Sequence, residues 1–238
     1  RELQKGVQKS GAARGMVLAI DPRTGEVLAL AAVPSFDPGA FQRVPPRRWV
    51  NRPISEVYEP GSTFKVITVA AALDAGRVTL SERFDCPPSL QVGPHRIRDV
   101  HRYCETAQTL TDIIRHSSNV GAAQVAARLG RKTFYDYIRR FGFGAPTGID
   151  LPGEARGIVR PPQEWLGPSL HTIGFGQGIS ATPLQLLVAA SALANGAYWC
   201  GPTWCVWCVT ARGGCCRGWA PLPGDVSSPR RWPRRWCG

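Results

Sequence analysis

The chain has 238 residues, 43% of them hydrophobic, enough to bury a substantial core as one large domain or two small ones. Its net charge is +12, but the bases are nearly all scattered arginines, six of them after residue 198, with lysine only at 5, 9, 65 and 132. No basic-aromatic RNA motif or zinc-finger spacing accompanies that charge, which argues against nucleic acid as a partner, and no apolar run approaches the ~20 residues that span a bilayer. No signal peptide is visible, and the opening at Arg1 without an initiator Met reads as a fragment of something longer.

In chain order, residues 1–13 are polar and read as the end of a helix. Met16–Ile20 and Val27–Ala32 are apolar runs joined by Asp21-Pro22-Arg23-Thr24-Gly25-Glu26, which predicts a β-hairpin with strong turn chemistry. Because the apolarity is continuous rather than alternating, both faces of this sheet are expected to be covered by helices. Residues 34–57 form a Pro- and Arg-rich loop ending in Asn51-Arg52-Pro53.

Pro60-Gly61 breaks that loop, and the next residues favour a helix that Gly76 can end in the left-handed conformation. Ser62 therefore sits at or just inside a helix N-terminus. Lys65 follows one turn later on the same face, within reach of the Ser62 hydroxyl. A serine hydroxyl is a poor nucleophile until a base takes its proton, and a lysine can do so where burial lowers its pKa. Free N–H groups at the helix start can also stabilise an oxyanion. Ser-x-x-Lys also recurs by chance, as an N-cap serine with a solvated lysine. What sets this one apart is its setting, with Phe64, Val66, Ile67 and Val69 wrapped around the lysine.

Residues 77–108 read as an irregular excursion with short strands. Helices follow at Thr109–Arg115, Val120–Leu129 and about Lys132–Phe141, and residues 143–160 carry turns and short strands. Between the first two helices lies Ser117-Ser118-Asn119, which can aim a hydroxyl and a carboxamide into a cleft, or can be only a helix-linking turn with an N-cap serine. Thr182-Pro183-Leu184-Gln185 is a capping box with Pro at the first helical position, opening a helix that ends at Asn195-Gly196. Glu59 lies where a carboxylate favours the helix dipole and is assigned no chemistry. His95, His101, His116 and His171 show no ligand spacing, and Gly174, Gly176 and Gly178 lack a nucleotide-loop pattern, so they read as turn glycines.

Together these stretches resemble the transpeptidase domain of a class B penicillin-binding protein, most of all the division-specific type. The resemblance is carried by Arg14-Gly15-Met16 through Pro34-Ser35-Phe36-Asp37-Pro38, by Asn51-Arg52, and by Tyr58-Glu59-Pro60-Gly61-Ser62-Thr63-Phe64-Lys65. It continues in His116-Ser117-Ser118-Asn119-Val120-Gly121, Phe141-Gly142-Phe143-Gly144, Leu151-Pro152-Gly153-Glu154 and Gly174-Phe175-Gly176-Gln177-Gly178-Ile179-Ser180. It covers residues 1–198 and implies an α/β (α+β) fold of the serine β-lactamase type, with a sheet flanked by helices.

It further implies that Ser62 attacks the carbonyl between the terminal D-alanines of a peptidoglycan stem peptide, and that a neighbouring stem's amine then takes the acyl group. Lys65 would be the base for acylation, a role disputed in related β-lactamases. Ser117 would relay a proton to the leaving amine, and Asn119 would hold the donor peptide's amide. β-Lactams would acylate Ser62. No cofactor or metal is implied. The partners implied are stem peptides and, in the full-length protein, divisome or elongation proteins. The location implied is the outer (periplasmic) face of the bacterial cytoplasmic membrane, with the anchor before Arg1.

The chain departs from the family's set of Ser-x-x-Lys, Ser-Asp-Asn and Lys-Thr-Gly in two places. The second motif is Ser-Ser-Asn, and Lys-Thr-Gly is absent from the sequence, with no lysine after Lys132. In the family that last motif lies on a sheet-edge strand, where it binds the substrate carboxylate and lends an oxyanion N–H. One such donor is worth ~10²–10³ in rate, so the chain as written is expected to be inactive and its sheet incomplete.

From Tyr198 the composition changes, with six of eight cysteines and six of eight tryptophans in the last 41 residues. We read residues 199–238 as an aberrant tail beyond a partial domain at 1–198. Plausible codons for Trp199–Val209 read one position over give a family-like string, which points to a frameshift near residue 198. As a metal site, Cys205-x-x-Cys208 with Cys215 and Cys216 lacks a standard spacing or a histidine. Cys86 and Cys104 fall inside the family-like region. In an oxidising periplasm they either form a disulfide closing an ~18-residue loop, worth ~3 kcal/mol, or stay as two thiols. Beside the transpeptidase reading stand a non-catalytic remnant that binds wall peptide or a division partner, and a serine β-lactamase or β-lactam sensor.

Overall fold

The computed structural model describes residues 1–101 and 107–196. Elements run in chain order as α1 (Glu2–Ser10), β1 (Gly15–Ile20), β2 (Val27–Val33), α2 (Arg52–Ser55), α3 (Lys65–Asp74), β3 (Arg83–Asp85), β4 (Ser89–Val92) and β5 (His95–Arg98). Then come β6 (Ala107–Thr109), α4 (Leu110–Arg115), α5 (Asn119–Leu129), α6 (Arg131–Arg140), α7 (Ser169–Ile173) and α8 (Pro183–Ala194). They divide into two compact units. Cys104 and the whole 199–238 tail lie outside the described residues, and with them the proposed pairing and the metal reading.

The first unit holds residues 1–57, 146–156 and the chain from 182 onward. Its β1–β2 hairpin has the predicted turn: the Asp21 carboxylate accepts from the Arg23 backbone N–H at 2.8 Å, and Gly25 takes φ 79°. Register runs from Gly15 opposite Val33 to Ala19 opposite Ala29, then slips at Ile20 opposite Val27, a bulge that leaves Leu28 62% exposed. On one face Leu18, Ile20, Val27 and Leu30 pack with Ile54, Ile149, Leu184 and Val188. On the other, α1 presses Val7 and Leu3 onto Gly15, where a Cβ would meet Val7 Cγ2 at 2.6 Å. Helices thus lie on both faces, as the apolar runs predict, but α1 is too polar to cover its face fully and leaves Val17 44% exposed. The capping box of α8 forms as read: Thr182 Oγ1 accepts from the Gln185 N–H, and Gln185 Oε1 accepts from the Thr182 N–H.

The second unit holds residues 58–145 and 157–181. Small side chains on α3 (Ala70, Ala71, Ala72) and α5 (Ala122, Ala123, Ala126) are buried, and the two helices pack against each other. Below the start of α3, Phe64 is fully buried edge-on to Phe143 at 5.1 Å and beside Phe134 at 6.4 Å. That aromatic floor anchors one residue between Ser62 and Lys65. β3 pairs with β6 and β4 with β5, both antiparallel, so the 77–108 excursion does contain short strands. The Thr109 capping box starts α4, and Ser118 caps α5 by accepting from the Gly121 N–H.

Candidate active site

The serine turn is held from two sides. Gly61–Phe64 forms a 3-10 turn that runs directly into α3, leaving Ser62 exposed and Lys65 buried at 1% exposure. From the other side, the Gly61 N–H donates to the Gly176 carbonyl at 3.0 Å, and Gly178 N–H donates to Glu59 Oε1 at 2.8 Å. Gly176 has φ 83°, and a Cβ there would fall 2.1 Å from the Gly61 carbonyl oxygen. The glycine turn is therefore a strap across the serine turn, as well as a place for positive φ. Glu59, read from sequence as a dipole partner only, is one of its two fastenings.

Lys65 gathers the other predicted residues. Its Nζ lies 3.2 Å from Ser62 Oγ, 3.0 Å from Ser117 Oγ, 2.5 Å from the Ser117 carbonyl and 2.8 Å from Asn119 Oδ1. An ammonium has three N–H groups for these four acceptors. A neutral amine likewise makes three contacts: its two N–H groups can serve the carbonyl and the carboxamide, and its lone pair can then face a hydroxyl proton. Burial pushes the Lys65 amine down to about 8, against an upward pull from Asp99. The lysine is thus poised near the operating pH of a general base.

The loop that meets it is strained. Ser117 has φ 54°, the one non-glycine residue with positive φ among the described residues. This turns both its carbonyl and its hydroxyl toward Lys65. The Asn119 carboxamide is oriented at both ends, since its Nδ2 donates to the Arg98 carbonyl at 3.0 Å. One N–H and one lone pair of that carboxamide remain for a ligand. A cavity of about 340 Å³ opens beside it, with Arg96, Arg98, Asn119, Phe175 and Gln177 in its wall and no carboxylate among the described residues.

Residues 15–203 match the family described as the penicillin-binding protein transpeptidase domain. The chain belongs to that family. It is 40% identical over 199 residues to stage V sporulation protein D of Bacillus subtilis, covering 82% of this chain and 31% of that protein. It is 38% identical over 186 residues to the peptidoglycan D,D-transpeptidase FtsI of Escherichia coli, covering 78% and 31%. The fold matches the solved structure of a peptidoglycan synthetase from Bifidobacterium adolescentis with a TM-score of 0.85 at 28% identity, over 92% of this chain and 39% of that one. The chain thus spans about a third of these curated relatives. The family read from the motifs is the family found, and the α/β fold it implied is the fold of its structural neighbours.

Within this penicillin-binding-protein domain, Ser62, Lys65, Ser117 and Asn119 converge on one point, as the spacing and the resemblance led us to expect. Cys86 is buried behind the same loop, where burial pushes its thiol up to about 11, opposed by a hydrogen bond with Ser118. Asp99 escaped the sequence reading. Arg98-Asp99-Val100 looks like any polar loop in sequence, and only the tertiary structure sets this carboxylate against α5.

Proposed function

We propose that this site is the acyl-transfer centre of a peptidoglycan D,D-transpeptidase of the division type, with Ser62 as nucleophile and Lys65 as base. The observation that carries this reading is the buried amine of Lys65, in hydrogen-bond reach of both Ser62 Oγ and Ser117 Oγ. Lys65 takes the Ser62 proton as Oγ bonds to the penultimate D-alanine carbonyl. The C–N bond to the terminal D-alanine then breaks, and the proton passes through Lys65 and Ser117 to the departing amine. An acceptor stem's amine attacks the resulting ester, forms the cross-link and releases Ser62. A β-lactam follows the first half, but its leaving amine stays tethered and blocks the second. Asn119 holds the donor amide with its remaining N–H, and the cavity beside it receives the body of the peptide. In the full-length protein we place this chemistry outside the cytoplasmic membrane, alongside divisome or elongation proteins. Among the described residues no helix is long and apolar enough to cross a membrane.

Labelled penicillin tests this. We expect an adduct on Ser62 of the full chain, formed ~10²–10³-fold more slowly than in a relative with Lys-Thr-Gly, and none on Ser62→Ala. A folded wild-type chain that takes no label refutes acyl transfer here. On the second reading, a non-catalytic wall-peptide binder, the chain would bind an acyl-D-alanyl-D-alanine peptide but form no adduct.

A further inference from the structure

Behind the Ser117–Asn119 loop lies a carboxylate that acyl transfer does not use. Asp99 follows β5, and its Oδ2 accepts from the Ser118 hydroxyl at 2.9 Å. Its Oδ1 accepts from the backbone N–H groups of Asn119 at 2.5 Å and Val120 at 3.0 Å. Those are first-turn donors of α5, orphaned in any uncapped helix, and a negative charge there also faces the positive end of the helix dipole. The chain just before Asp99 takes part as well, since the Arg98 carbonyl accepts from Asn119 Nδ2.

We infer that Asp99 is a positioning residue of this site: by binding the first turn of α5 it holds the Ser117 carbonyl, the Ser117 hydroxyl and the Asn119 carboxamide against the Lys65 amine. This rests on Lys65 being the base. The strain at Ser117 fits it. A non-glycine residue at φ 54° relaxes unless its flank is fixed, and the residues that follow Ser117 are fixed by Asp99.

Asp99 also bears on the charge of Lys65. Burial pulls the amine down and the Asp99 carboxylate pulls it back up. Among the described residues, the ionisable groups near this carboxylate include Cys86, on which both Asp99 and Asp85 act, and the exposed Arg98 next to it in the chain. Replacing Asp99 by Asn keeps an oxygen for the two α5 N–H groups while removing the charge. The Lys65 midpoint then falls.

The chain has four lysines, so protein labelled with ¹³C at lysine Cε gives four resolvable resonances, with Lys65 assigned through Lys65→Arg. In wild type we expect Lys65 to titrate near 8, and in Asp99→Asn about one pH unit lower. In Asp99→Ala, the Asn119 and Val120 amides should exchange with solvent more than about 10-fold faster. Wild type alone supplies a further check, because both amides must be protected although they lie in a first turn. Free exchange of these amides in wild type, or an unchanged Lys65 midpoint in Asp99→Asn, overturns the inference. Neither readout needs acylation, so a failure here is distinct from a failure of the penicillin test.

Discussion

An amine held near neutrality by burial leaves a signature in stability that does not depend on substrate. Lys65 titrates near 8 when folded and at 10.5 when unfolded. Below pH 8 the lysine is protonated in both states, and the folded state carries the full cost of the desolvated cation. Between 8 and 10.5 the unfolded chain binds more protons than the native one, so stability rises with pH, and above 10.5 the difference is gone. Integrated from pH 7 to pH 10, this is a gain of about 2–3 kcal/mol from one side chain that is 1% exposed. Lys65→Met keeps the apolar stem and removes the titration. Urea unfolding of wild type and Lys65→Met at pH 7 and pH 10 isolates the term, because Cys86, Tyr58 and Tyr137 are common to both proteins and cancel. We expect the gap between the two proteins to move by about 2–3 kcal/mol in favour of wild type on going to pH 10. An identical pH dependence in both would refute the claim that burial has lowered the Lys65 pKa.

Two further outcomes follow from backbone geometry. Gly176→Ala places a methyl 2.1 Å from the Gly61 carbonyl oxygen at φ 83°, so we expect a loss of at least ~2 kcal/mol by denaturant titration and slower penicillin labelling as the serine turn shifts. At Ser117 the left-handed φ of 54° makes glycine the better backbone. Ser117→Gly should be about 1 kcal/mol more stable than Ser117→Ala, with both losing the hydroxyl and labelling slowly. Equal stabilities for this pair would mean that the loop relaxes out of the left-handed region.

Local chemistry shows plainly in the sequence. Pro60-Gly61 before an apolar helix places Ser62 and Lys65 one turn apart because helical rise and twist are fixed by the backbone, and Lys65 Nζ lies 3.2 Å from Ser62 Oγ in the structure. Capping boxes at Thr109 and Thr182, the Asp21–Gly25 turn and the helix-ending glycines are likewise encoded within a few residues. The order of separate motifs along the chain is specific enough to name the family.

What spans long sequence distances came only from the fold. That Ser117 and Asn119 meet Lys65 from 52 and 54 residues away depends on α3 and α5 packing against each other. The role of Asp99, 20 residues before Asn119, and the strap from Gly176 to Gly61 were invisible, because neither residue type nor spacing marks a hydrogen bond between distant segments. The extent of helix cover on the hairpin was also decided by the fold, since apolarity reports how much surface a strand offers and not what arrives to bury it. The sequence determined which residues could do the chemistry. Packing, by desolvating one amine and turning three acceptors toward it, decided that they meet.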